Sequence, residues 1–217
     1  MLAHAKAEAN AETVREYVAR GGRLGAIAAG LMVSVIAGMP ETAIRFAYDP
    51  DTAARGASTL RVLALGQGAF AMLGIGCTVL SSLGRERVSA IITAIAAGAA
   101  ACAIAIVVPM RAFGMGQLEA TSICMAAVLA IALAVCTGIV LRVAGAFVPV
   151  ASAVRVLVAL GITIAIGARI PPVSRALAPL VAIVLALAYV VVLVISREVG
   201  SSDLRWIRGA LSRARRA

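Results

Sequence analysis

59-TLRVLALGQGAFAMLGIGCTVLSSLGRER-87 is an apolar run of membrane length that ends in a charged turn. Between Arg61 and Arg85 lie 23 residues without a charge. At ~1.5 Å per residue, a helix of that length exceeds the ~30 Å hydrocarbon core of a bilayer. Ser81-Ser82-Leu83-Gly84 then breaks the helix and delivers Arg85 and Arg87 to headgroups or water. Read this way, the rest of the chain repeats the unit with variations.

Composition agrees. The 217 residues are 62% hydrophobic, 4% aromatic and 14% charged, more apolar than a soluble domain of this size can bury. The net charge of +10 raises the question of nucleic acid. The basic residues, however, sit at the ends of apolar runs and lack interleaved aromatics, a pattern that topology and anionic lipid explain. Cys77, Cys102, Cys124 and Cys136 each lie inside an apolar run, with no C-x-x-C pair, and the single histidine is His4. They read as small apolar side chains, not as a metal or disulfide framework. Residues 1–20 are polar and lack the apolar core of a signal peptide.

The pattern predicts an all-α polytopic membrane protein, a six-transmembrane-helix bundle. Residues 1–23 form an amphipathic cytoplasmic lead-in, with Glu8, Glu12 and Glu16 at helical spacing and Glu16 one turn before Arg20. The bundle occupies 24–195, with spans at about 24–46, 58–83, 88–110, 118–141, 148–170 and 176–195. Met39-Pro40-Glu41 interrupts the first span, and Glu41 stands one turn before Arg45, where the two can form a structural ion pair. Pro109 and Pro171-Pro172 mark later breaks, and 196–217 is a basic cytoplasmic tail. If the amino terminus is cytoplasmic, 14 of the 20 basic residues fall inside, Arg85, Arg87 and Arg142 among them, and 6 fall outside. That asymmetry places both termini in the cytoplasm and makes these three arginines topology and lipid contacts.

No catalytic constellation is present: no second histidine, no nucleophile elbow, no phosphate-binding loop and no intramembrane carboxylate pair. The sequence therefore points away from an enzyme and from any cofactor or metal. Polar and small residues within spans remain. Gln67, Ala71, Gly74, Thr78 and Ser81 share one line of the second helix, readable as a lumen-facing stripe or as a close helix–helix seam. Arg155 lies a short way into the fifth span, deep enough to receive a pyrophosphate and shallow enough to snorkel to the cytoplasmic boundary. Arg61 is a weaker candidate at the outer boundary.

The stretches 60-LRVLALGQGAF-70 and 79-VLSSLGRERVSAII-92 resemble a helix and its following turn in polysaccharide-biosynthesis flippases. These form a family of the multidrug/oligosaccharidyl-lipid/polysaccharide exporter superfamily. In the same order, 12-ETVREYVARGGRLGAIAAGLMVSVIAGMPETAIRFAYDPD-51 is similar to that family's seventh helix and lead-in. Likewise 107-VVPMRAFGMGQLEATSI-123 resembles the loop entering the tenth helix, and 197-REVGSSDLRWIRGAL-211 the tail after the last. The resemblance covers the carboxy-terminal lobe only. Gln67 stands at a commonly apolar position and Glu119 at a commonly small one. The resemblance implies one six-helix lobe of a two-lobed, alternating-access transporter that flips lipid-linked oligosaccharide for polysaccharide biosynthesis. It implies an inner-membrane location and a pyrophosphate lipid as ligand, for which Arg155, Arg61 and Gln67 are the candidate contacts read from the residues; the charge pattern already leaves no nucleic acid as partner. The second lobe would come from a homodimer, inserted in parallel as an even span count allows, or from a separate amino-terminal chain. The alternative is a non-transporting scaffold or truncated family member that docks polysaccharide-assembly enzymes through its tail. Drug export fits less well, because the spans lack acidic residues for ion coupling.

Overall fold

The computed structural model of the chain describes residues 11–107, 109 and 116–198. The start of the lead-in, the loop after the third span and the basic tail beyond Glu198 lie outside the described residues. Among those described there are helices and no strands: α1 (Ala11–Gly38), α2 (Pro40–Arg45), α3 (Pro50–Ser82), α4 (Glu86–Val107), α5 (Gln117–Ala144), α6 (Val150–Gly167) and α7 (Ala178–Ile195). All but the short α2 are long and apolar enough to cross a membrane, which gives six spans.

Local chemistry sets the helix ends. The lead-in and the first span are one continuous helix, α1, up to Gly38. Met39 leaves helical geometry (φ −132°, ψ 56°), and Pro40 opens α2, because proline lacks the N–H that a continuing helix needs. α3 starts at Pro50, well before Ser58. Asp49 caps it by accepting from the Thr52 N–H at 3.0 Å, and Pro50 fills the first position. At the opposite end, α3, α5 and α7 each finish against a left-handed residue: Gly84 (φ 75°), Gly145 (φ 70°) and Arg197 (φ 56°). The chain folds back at each, so that Arg85 N–H reaches Leu80 O (2.9 Å) and Glu198 N–H reaches Leu193 O (2.9 Å). This end, where α1 begins, also carries Arg15, Arg20, Arg23, Arg87 and Arg142 and is the basic end of the bundle.

The helices fall into two groups, α3–α4–α5 and α1–α6–α7, joined where α1 packs on α3. Lipid tails are as apolar as the side chains, so close backbone approach and van der Waals contact replace the hydrophobic drive between helices. A Cβ on Gly66 would come within 2.9 Å of the Ala126 Cα, and one on Gly167 would fall onto the Gly38 carbonyl. The Tyr189 ring, fully buried, fills space left by Gly30, and its hydroxyl donates to the Ile27 carbonyl at 3.2 Å. Near the basic end Val18, Leu80, Val140 and Phe147 form a shared core. The seam of α3 runs along Gly66, Leu73, Gly76 and Leu80, all buried, whereas Gln67, Ala71, Gly74 and Thr78 are exposed on a neighbouring face. Within this chain that polar stripe is no seam.

Gly167→Ala is expected to push α6 off α1 and to destabilise the bundle by about 1–3 kcal/mol, the usual cost of overpacking. Gly161→Ala, on the same helix with nothing within 4 Å, should be neutral or stabilising. Thermal unfolding in detergent separates the two; equal melting temperatures would remove the Gly38–Gly167 contact as a determinant.

Candidate functional site

α5 and α6 follow one another yet scarcely touch. The Gly145–Pro149 turn separates them, pinned by Phe147, which is buried in the core near the basic end. The gap is floored by α1 and α3 and encloses about 530 Å³. Ala26, Gly30 and Val33 line it from α1, and Leu65, Gly68 and Met72 from α3. Leu133 and Leu141 form one wall, Val150, Val154, Leu157 and Leu160 the other, and Phe147 and Val148 close the basic end. Thr137 supplies the single polar side chain of the lining. The volume falls in the ~300–1,000 Å³ range of ligand pockets, and a lining of this kind favours hydrocarbon over water.

A second, polar cup of about 280 Å³ lies at the far end, between the ends of α1 and α6 and the start of α2. Arg61, Glu41, Thr42 and Arg169 line it. The Arg61 Nε donates to the Ala37 carbonyl at 3.1 Å, which ties α3 to the last turn of α1. Arg45 donates to Glu41 at 2.6 Å, and Arg175 reaches across to the Arg45 carbonyl at 2.8 Å. Between cup and groove stand Val33, Ala37 and Ala64, with Leu160 and Ile164 packed on them. Arg61 and Arg155 are therefore at opposite ends of the molecule, and Gln67 lines neither space. Glu119 accepts a hydrogen bond from Ser58 at 3.0 Å and so ties the start of α5 to α3.

Arg155 has a partner that the sequence does not reveal. Its guanidinium donates to the Glu198 Oε2 at 2.8 Å, while the Arg23 Nε donates to Oε1 at 2.7 Å. Glu198 is 1% exposed. Arg23 stands one turn before Ala26 on α1, and Arg155 lies between Val154 and Val156 on α6, so the cluster adjoins the groove. Glu198 reaches it because Arg197 adopts the left-handed conformation, at a cost of about 1–2 kcal/mol for a residue with a Cβ. Burial pushes the Glu198 carboxyl up, but hydrogen bonds from Ser152 and Arg155 and the charge of Arg23 outweigh it and hold the group below the usual carboxylate range. An apolar groove beside two convergent guanidinium groups suits an amphiphile with an anionic head.

Residues 1–107 match the MatE family model. The match supports the multidrug/oligosaccharidyl-lipid/polysaccharide exporter superfamily, and MatE proteins are membrane transporters and not enzymes. Neither a curated protein nor a solved structure matches the chain. The MatE match spans α1 to α4 and so takes in the groove floor, whereas both groove walls, Arg155 and Glu198 lie beyond it. Arg85, Arg87 and Arg142 are exposed at the basic end.

The clamp has a signed pH dependence. A carboxyl held below its ordinary range contributes stability that is fully present above that range and lost as pH falls through the depressed value. Arg155 keeps 42% of its side chain exposed, so each bond belongs at the low end of the ~1.5–3 kcal/mol typical of charged hydrogen bonds. Acid titration of thermal stability in detergent should show a loss below the carboxylate range that is smaller in Glu198→Gln. Superimposable acid profiles would remove Glu198 from the account.

Proposed function

We propose that this chain is one lobe of a two-lobed transporter that flips lipid-linked oligosaccharide across the inner membrane. The observation that carries this reading is the laterally placed apolar groove with Arg23 and Arg155 at its basic end. A polyprenyl tail needs a hydrocarbon-lined trough, and a pyrophosphate needs guanidinium donors at the depth of the headgroups. The lopsided arginine distribution supports a cytoplasmic basic end, with both termini on that side. The head would then be taken up from the cytoplasmic leaflet. A second copy inserted in parallel, or a separate partner chain, supplies the second lobe, facing this one.

Reconstitution into liposomes with a fluorescent lipid-linked oligosaccharide tests this directly. The chain, alone or with its partner lobe, should expose probe to an impermeant quencher faster than empty liposomes do. Arg155→Ala should slow exposure tenfold or more, and Leu157→Arg, a charge placed in the groove, should stop it. Rates equal to those of empty liposomes with both lobes present would overturn the reading. Orientation has its own readout: in a cysteine-free background, Asp51→Cys should react with an impermeant maleimide from outside the cell and Arg87→Cys should not.

A further inference from the structure

Glu198 occupies a place built for an anion. Its two oxygens are held by two arginines at 2.7 and 2.8 Å, and buried Ser152 stands one turn before Arg155 on α6. The carboxylate is almost wholly shielded from solvent, while the Arg23 and Arg155 side chains keep 25% and 42% of their surface exposed. The arginines thus keep surface outside the bundle while the carboxylate does not.

The two halves of this contact are held in different ways. Arg23, Ser152 and Arg155 stand on long helices whose neighbouring turns pack through Ala26, Val156 and Ala159. The backbones that carry the donors therefore keep their places without the acceptor, while the two guanidinium groups need an anion between them. Glu198 lies beyond the last turn of α7, on a backbone turn that Arg197 makes at φ 56°. Releasing Glu198 lets Arg197 leave the left-handed region, whereas shifting the helices that carry the donors would disturb the α1–α6 packing. A phosphate group offers more acceptor oxygens and more charge than a carboxylate, and the planar guanidinium fork matches it in two-point fashion.

We propose that Arg23, Ser152 and Arg155 form a phosphate-headgroup site that Glu198 fills as an internal ligand. A phosphate monoester or pyrophosphate binds there by displacing Glu198 and freeing the end of α7. The inference deepens the transport reading, and it rests on that reading for the groove as the seat of the attached chain. It gives transport a gate: the unloaded lobe is locked by its own carboxylate, and the anionic head releases the lock.

Amide hydrogen exchange on the whole protein in phosphatidylcholine nanodiscs tests it. Adding inorganic pyrophosphate, or replacing part of the lipid with phosphatidic acid, should speed exchange at Arg197 and Glu198 tenfold or more. Amides of 152–155 should stay as protected as before or become slower. A response to both ligands means that the site accepts the group free or lipid-borne. A response to phosphatidic acid alone means that delivery from the bilayer is required; either result supports the site. No response to either ligand overturns it.

Glu198→Gln, which removes the competing charge at nearly constant size, should bind pyrophosphate or phosphatidic acid at least tenfold more tightly. Adding Arg155→Gln should abolish the gain. If Glu198→Gln instead lowers the melting temperature and leaves phosphate binding unchanged, the cluster is only a structural staple and the proposal fails. Displacement without flipping in the liposome assay would sink the transport reading and leave this site standing. Flipping without displacement would do the reverse.

Discussion

In hydrocarbon an apolar helix gains little by leaving the lipid for a neighbour, so the bundle depends on how closely α1 can approach the helices around it. Gly38 meets Gly167 backbone to backbone, Gly30 admits the Tyr189 ring, and Val33 fits against Gly68. α1 thereby touches α6, α7 and α3 and holds the two three-helix groups together. The hydroxyl of Tyr189 adds a directional contact to the Ile27 carbonyl, in a setting with no water to compete for it. Larger side chains at those α1 positions would separate the groups, and the groove that both groups line would lose its floor.

The groove is a consequence of that arrangement. α1 and α3 pack on each other, α5 is committed to α3, and α6 is committed to α1, so the consecutive helices α5 and α6 are drawn to opposite sides. Phe147 fixes the turn between them by sinking into the core, with its carbonyl lying against Gly22. The same geometry brings the start of α6 beside α1 at the level of Arg23. Two cations on adjacent helices would repel, and the carboxylate of Glu198 between them resolves the conflict. Site and scaffold thus share one cause.

Much of this architecture is legible in the sequence, where the physics is local. Charge-free runs of membrane length give the six spans, and Leu83-Gly84 marks a helix end because glycine takes the left-handed conformation freely. The early start of α3 is also written locally, since Asp49-Pro50 is a cap followed by a first-position proline, although counting only the charge-free run puts the start at about 58. Long-range features are not legible. Glu198 lies 43 residues from Arg155 and 175 from Arg23, in what composition alone marks as tail. The turn that places it uses Arg197, where a reader looks for glycine. The stripe through Gln67 and Gly74 shows why periodicity is insufficient. It shows which residues of α3 share a line, but the packed face lies next to it, chosen by partners on α5 and α1.

The length of α3 has one more consequence. Its 33 residues make a rod of ~50 Å, and even the ~40° upper limit of observed tilts leaves ~38 Å along the bilayer normal, against ~30 Å of hydrocarbon. Hydrophobic mismatch of that size cannot be absorbed by leaning, so at least a turn of α3 stands clear of the hydrocarbon, among the headgroups. The Asp49 cap, Asp51 and Arg55 mark the emergent part. Because Arg61 fastens the same helix to the end of α1, this shoulder is tied to the buried bundle and is not a free extension of it.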